Sequence, residues 1–158
     1  MRSCSDVHNY LLEQGVAHEI VHLPAPSTTT RRAADLLGVR PCEICKSLLF
    51  ITDKGPVVAL VPGHLQANPR LLRGALGCRR AALAKAGEVL DITGYRPGAV
   101  PPCGLALDLP VVVDERLFEV DVVYCGGGTT STMLKIRSDD LRDALEAQVA
   151  VIAQVPEE

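Results

Sequence analysis

Short runs of apolar residues, broken at close intervals by Gly, Pro and hydroxyl-bearing positions, mark out the elements of this chain. A first helix is predicted over Ser5–Gln14, with Gly15 as its stop, followed by a short strand over His18–His22. Thr28, Thr29 and Thr30 offer caps for a second helix that runs through Leu37 and ends at Gly38. The aliphatic run Ile44–Ile51, the turn Asp53-Lys54-Gly55-Pro56 and the run Val57–Val61 predict two antiparallel neighbours, because the turn is too short for a helical crossover. Asn68-Pro69 places a capping side chain before a proline at the first helical position, which predicts a helix to about Leu76. A strand over Arg79–Leu83 and a helix over Ala84–Thr93, ended by Gly94, come next. Further strands are predicted at Val111–Val113, Val120–Cys125, Met133–Ile136 and Val149–Val155. Ser138 is expected to cap a helix whose first turn carries Asp139 and Asp140. Helices and strands alternate irregularly, with direct strand-to-strand links. The fold class expected is α/β: a single compact domain over residues 1–158, its mixed, largely antiparallel sheet packed with helices.

One polar residue interrupts this pattern. Lys46 lies inside the apolar run, where alternation groups it with Ile44, Leu48 and Phe50 on one face and sets Cys45, Ser47, Leu49 and Ile51 on the other. An ammonium among large apolar neighbours loses hydration, at a cost that a carbonyl or an anion must offset. Lys46 is therefore a candidate for receiving a negatively charged or polarised ligand. A strand end, a side chain snorkelling to solvent and a protected sheet edge are the plain alternatives.

Composition narrows the function. Of the 158 residues, 47% are hydrophobic and 22% charged, as in an ordinary globular chain. Aromatics make up only 3% and Trp is absent, so the core must be aliphatic and broad base-stacking platforms are not expected. No apolar stretch approaches the ~18 residues of a membrane span, and residues 1–6 lack a secretory signal's apolar segment. A cytoplasmic protein with no membrane association is expected. The formal net charge of −3 does not suit a grip on long nucleic acid. Locally, residues 55–87 contain no acidic residue but include Arg70, Arg73, Arg79, Arg80 and Lys85. That stretch is either a solvated basic surface or a patch able to contact phosphates of a short RNA end.

Six cysteines are present, and Cys42-Glu43-Ile44-Cys45 has the spacing of a zinc or redox pair. A structural zinc site needs further ligands, and no second such pair exists. His18 and His22 sit in a strand pattern, so they do not converge as helical ligands would. Neither metal nor cofactor is expected.

The segment Gly94–Gly104 is dense in Gly and Pro. Such a loop is conformationally preset and can aim backbone N–H groups at one point, as an oxyanion or carbonyl requires. A plain connector has the same composition. The motifs taken together resemble the YbaK/ProX family of aminoacyl-tRNA deacylases, related to the editing domain inserted in bacterial prolyl-tRNA synthetases. The matching segments are His22-Leu23-Pro24, the threonine-led helix, Lys46 within Cys45–Leu49, and Gly98-Ala99-Val100-Pro101-Pro102 as the GxxxP loop followed by Gly104. Val111–Asp114, the glycine-rich Val123–Gly128 and the acidic helix start with Leu141 complete it.

The resemblance implies trans-editing: hydrolysis of the ester joining a wrong amino acid to the 3′ end of tRNA-Pro or a related tRNA. It assigns Lys46, Gly98, Pro102 and Gly104 to catalysis. Substrate binding falls to His22, Ser47, Ala99, Val100, Pro101 and Gly126. The implied partner is mischarged aminoacyl-tRNA, with a synthetase as a second partner left open. A non-catalytic module that binds tRNA or a synthetase is the alternative, and a thiol or metal protein built on Cys42 and Cys45 a distant third.

Overall fold

The computed structural model describes residues 1–156. Helix α1 (Cys4–Glu13) begins in a capping box: the Ser3 hydroxyl accepts from the Ser5 amide, and Asp6 accepts from the Ser3 amide at 2.8 Å. The strand β1 (Glu19–His22) and helix α2 (Thr30–Leu37) follow, with Thr29 as the α2 cap accepting from the Arg32 amide. A short 3-10 turn at Pro41–Glu43 leads into β2 (Ile44–Thr52) and β3 (Gly55–Pro62), which pair antiparallel as the tight turn demands. Next come β4 (Gln66–Ala67), α3 (Pro69–Leu76), β5 (Ala81–Leu83) and α4 (Ala86–Thr93). The C-terminal part holds β6 (Val111–Asp114), β7 (Val122–Gly126), β8 (Thr132–Arg137), α5 (Ser138–Leu145), β9 (Gln148–Ala150) and β10 (Ala153–Gln154).

The main sheet runs β1-β8-β7-β2-β3-β6-β9, with β5 added to β2 beyond the end of β7. The pairings β1–β8, β7–β8, β2–β3 and β2–β5 are antiparallel, while β2–β7, β3–β6 and β6–β9 are parallel. This is the mixed α/β sheet that the sequence pattern predicts. Both faces are covered. Cys45, Leu49, Val58, Leu60, Val113, Val123, Cys125 and Leu134 pack on one side with Val7 and Leu11 of α1 and Leu141 of α5. On the other side, Phe50, Val57, Ala59, Val61 and Val112 meet Leu72 of α3, and Ile44 and Met133 meet Ala33 and Ala34 of α2. The alternation read for residues 44–51 is thus the alternation that sorts them between these cores.

Five expected elements change shape. The strand expected at 149–155 is two pieces in different sheets, because Ile152 turns inward and its amide, with that of Ala153, donates to the buried Asp114 carboxylate at 2.9 Å. Asp114 also caps the 3-10 turn Glu115–Glu119, after which Val120 and Asp121 lead into β7 at Val122. Ser138 is the first residue of α5 and not its cap; its hydroxyl instead donates to Val120 O at 2.7 Å. Arg79 and Arg80 stay outside β5 because their amides donate to the Asp53 carboxylate, both at 2.9 Å, and α4 starts two residues late at Ala86.

Candidate active site

Lys46 is the third residue of a nine-residue strand in the interior of the sheet, inside the strand's ends but paired on the β3 side alone. Its half-buried side chain donates through Nζ to the Leu65 carbonyl, and burial holds the ammonium below the ordinary lysine range. A single carbonyl leaves two of its three donor positions for a ligand.

Next to Lys46 the sheet opens. β7 pairs with β2 only at Ile44 and Cys45, and β5 joins the same edge only from Phe50. Gly63 N donates to Ile44 O on the β3 side, so antiparallel alternation turns the backbone groups of Ser47 the other way, into the opening. The Ser47 hydroxyl is buried there and is the one such side-chain polar atom without a partner among the described residues. A buried hydroxyl left unpaired costs about 1–3 kcal/mol, which a ligand hydrogen bond would recover.

Two loops wall the opening. Ser27, Thr28, Thr29 and Thr30 bring the positive N-terminal end of α2 to one side. Gly98 and Val100 supply the other wall, and the Ala99–Val100 backbone rests on Gly126 at the end of β7. That approach is possible because residue 126 lacks a side chain: a Cβ there would lie 3.0 Å from the Val100 carbonyl carbon and closer still to its oxygen. Gly98 itself has φ +85° and lies against Thr28, where a Cβ would come within 3.0 Å. The loop is stapled by Ala99 N to Arg96 O and by Gly128 N to Ala99 O, both at 3.0 Å. Neither the Gly98 nor the Val100 amide meets an acceptor among the described residues. The result is a cleft of about 220 Å³, floored by Ile44–Leu48 and bordered also by Ala33 and Met133.

The structure therefore brings Lys46, Ser47, Gly98, Val100 and Gly126 together. It sets others apart. Pro102 and Gly104 line a second depression with Tyr10 and Leu145. There the Gly104 carbonyl accepts from the Tyr95 hydroxyl at 2.6 Å and from Arg2 at 3.1 Å, which ties the loop to the N-terminal segment. Burial raises the Tyr95 hydroxyl well above its ordinary value, so it remains a donor, and pushes the neighbouring Cys103 thiol up to about 12. Ala99 faces a third depression beside Arg2 and Arg96, and Pro101 is buried and lines none of the cleft. His22 ends β1 opposite Thr132 and is exposed outside the cleft. Of the cysteine pair, Cys45 sits in the core whereas Cys42 lies on the 3-10 turn, and no group of three metal-ligating side chains converges among the described residues.

Sequence reasoning passed over Ser27–Thr30 as site residues and took the threonines only as caps. The signal was four hydroxyl side chains in succession ahead of a helix. Ala33 and Met133 carry no comparable signal; only the fold brings them to the cleft.

One cation, a helix N-terminus and unpaired amides around a small cleft suit a ligand with an anionic or strongly polarised carbonyl group. Comparison with known proteins agrees with that chemistry. The chain is 31% identical over 127 residues to a proline–tRNA ligase of Citrifermentans bemidjiense, covering 77% of this chain but only 22% of that enzyme. It is 25% identical over 132 residues to a protein of Enterococcus faecalis named "Putative Cys-tRNA(Pro)/Cys-tRNA(Cys) deacylase EbsC", covering 83% and 77% of the two chains. A solved structure described as "a putative trans-editing enzyme for prolyl tRNA synthetase" superposes with a TM-score of 0.90 at 30% identity, covering 98% of both chains. The sequence profile of the aminoacyl-tRNA editing domain matches residues 24–144, a span that begins just before α2 and ends within α5, and this chain is a member of that family.

Proposed function

We propose that this chain hydrolyses the ester between a wrongly attached amino acid and the 3′ end of tRNA, acting in trans on tRNA-Pro or a related tRNA. The observation that carries the proposal is the shared cleft: Lys46, Gly98 and Val100 line one small volume, and the Gly98 and Val100 amides meet no acceptor among the described residues. An aminoacyl ester is already activated, so positioning and charge stabilisation supply most of what hydrolysis needs. Lys46 stabilises negative charge near the terminal ribose or at the developing oxyanion. The Gly98 and Val100 amides hold the ester carbonyl, and Ser47 pairs with a polar group of the substrate. Besides Lys46, Cys45 is the only titratable side chain on the cleft wall, and it packs in the core. As the resemblance to the YbaK/ProX deacylases implies, the terminal hydroxyl of the tRNA itself helps activate the attacking water. The small cleft selects by size; one methylene is worth ~1–3 kcal/mol, which is why a second sieve after a synthetase is useful.

Pro101, Pro102 and Gly104 act from behind the loop, by fixing its course. The basic surface of Arg73, Arg79 and Arg80 borders a shallow depression beside the end of β2 and contacts phosphates of the tRNA. Residues 1–158 work as one editing domain, and a synthetase that supplies the mischarged tRNA is a natural partner.

Deacylation of alanyl-, cysteinyl- and seryl-tRNA by the wild type and by Lys46→Ala tests this directly. The substitution is expected to lower the rate about 10²–10³-fold, the scale of losing one preorganised charge-stabilising donor. Unchanged rates in the variant would remove Lys46 from the chemistry. Tight tRNA binding with no release from any of the three esters would mark a binding module instead.

A further inference from the structure

The opening in the sheet continues past the residues that surround Lys46. Along the free edge of β2 it runs from Cys45 to Phe50, and its far end is closed where Ala84 N donates to Leu49 O at 2.9 Å. Leu83, the last residue of β5, is paired with Phe50. Directly opposed residues of an antiparallel pair share a face, and Phe50 shares its face with Leu48 and Lys46. Leu83 therefore stands on the Lys46 side of the sheet, diagonal to Leu48 at about 7–8 Å. Leu48 lines the cleft and is half-buried, whereas Leu83 is 61% exposed, the most exposed large apolar residue in any strand among the described residues.

An isolated exposed leucine needs no explanation. Its position does. The aromatic residues are three Tyr and two Phe, and none of them lines the cleft. A nucleobase entering with its ribose finds no ring to stack on, so its apolar support has to be aliphatic. Base and ester are carried by the same ribose. Leu48 is two residues from Lys46 on the same strand face, so a base that leaves the ester along that face meets Leu48 and then Leu83. Lys85 follows two residues later and is exposed, adding a cation where the phosphate chain would leave.

We infer that Leu48 and Leu83 form an apolar shelf at the mouth of the cleft, and that its occupant is the adenine of the esterified terminal nucleotide. The inference rests on the ester-hydrolysis reading above. Leu83 is a positioning residue: it places the ribose through the base and touches no reacting atom.

The test compares wild type with Leu83→Ser on two forms of whichever alanyl-, cysteinyl- or seryl-tRNA the wild type hydrolyses. One form ends in adenosine; the other carries the same ester on an abasic terminal ribose. The expected result is a roughly tenfold loss of kcat/KM for Leu83→Ser on the adenosine form, mostly in KM, with recovery in Leu83→Met. On the abasic form the wild type and Leu83→Ser should match. Equal losses on both forms, or no loss on the adenosine form, would overturn the shelf and leave the hydrolase reading standing. Failure of the wild type on all three esters would overturn both. Because Leu83 is solvent-exposed, the thermal midpoint of Leu83→Ser should stay close to that of the wild type, so a large drop would also count against the inference.

Discussion

Gly126→Ala separates a structural cleft from a working one. The backbone at 126 is in an ordinary strand conformation, so alanine brings no dihedral strain. Its Cβ would stand 3.0 Å from the Val100 carbonyl carbon and 3.3 Å from the Ala99 oxygen, with the Val100 oxygen nearer than either. Carbon atoms pack at about 3.5–4.0 Å, so the Gly98–Val100 segment must withdraw by roughly 0.5–1 Å. Overpacking of that size costs about 1–3 kcal/mol, and for a chain of this length about 2–4 °C per kcal/mol in Tm. The fold should survive. Catalysis should not, because a misplacement of about 1 Å costs on the order of 10²-fold in rate. Steady-state deacylation beside a thermal melt reads both quantities. A folded Gly126→Ala variant with wild-type kcat/KM would refute the claim that the loop amides act on the ester.

Further substitutions probe the scaffold and the surface. Asp114 is fully buried and accepts from the Arg116 guanidinium and from the amides of Arg116, Ile152 and Ala153. Asp114→Ala should therefore cost about 3–5 kcal/mol in urea unfolding. Burial opposes ionisation of this carboxyl, but the hydrogen bonds from Arg116 and Ile152 outweigh it and hold the group below the usual carboxylate range. The stability it contributes is thus complete above the unfolded value of about 3.9 and is lost as pH falls through the lower folded value; an acid-unfolding curve that Asp114→Asn leaves unchanged would contradict this. Gly74 lies inside α3, and an alanine Cβ there would meet nothing within 4 Å, so Gly74→Ala should stabilise the chain by about 0.5–1 kcal/mol, with a drop in stability counting against the helix assignment. Replacing Arg79 and Arg80 by Gln should weaken tRNA binding and flatten its dependence on log salt by about one for each phosphate no longer neutralised; an unchanged slope would leave the basic surface merely solvated.

Local chemistry was legible where it is decided locally. Asn68-Pro69 starts a helix wherever it stands because the side chain satisfies the Arg70 and Leu71 amides and proline has none to satisfy. The placement of Lys46 between apolar neighbours likewise showed in the bare pattern, as did the stiffness of the Gly98–Pro102 loop. What escaped depends on packing between distant parts of the chain. The opening beside Lys46 exists because β7 departs after Cys125 meets Cys45, a pairing between residues eighty positions apart. Nothing near residue 46 announces it. Alternation also put Ser47 on the face opposite Lys46, yet both border the cleft, since a missing neighbour strand exposes the strand's edge to both faces. Pro102 and Gly104 stand only a few residues beyond Val100, but the chain has by then turned toward α1.

Lys46 and the Gly98–Val100 amides are held to act on one substrate, and a double-mutant cycle on deacylation measures that directly. Lys46→Ala, Gly126→Ala and the combined variant should give a coupling of about 2–3 kcal/mol, the double variant being little slower than the slower single one. Strict multiplication of the two separate losses would mean that the ammonium and the loop serve independent ends.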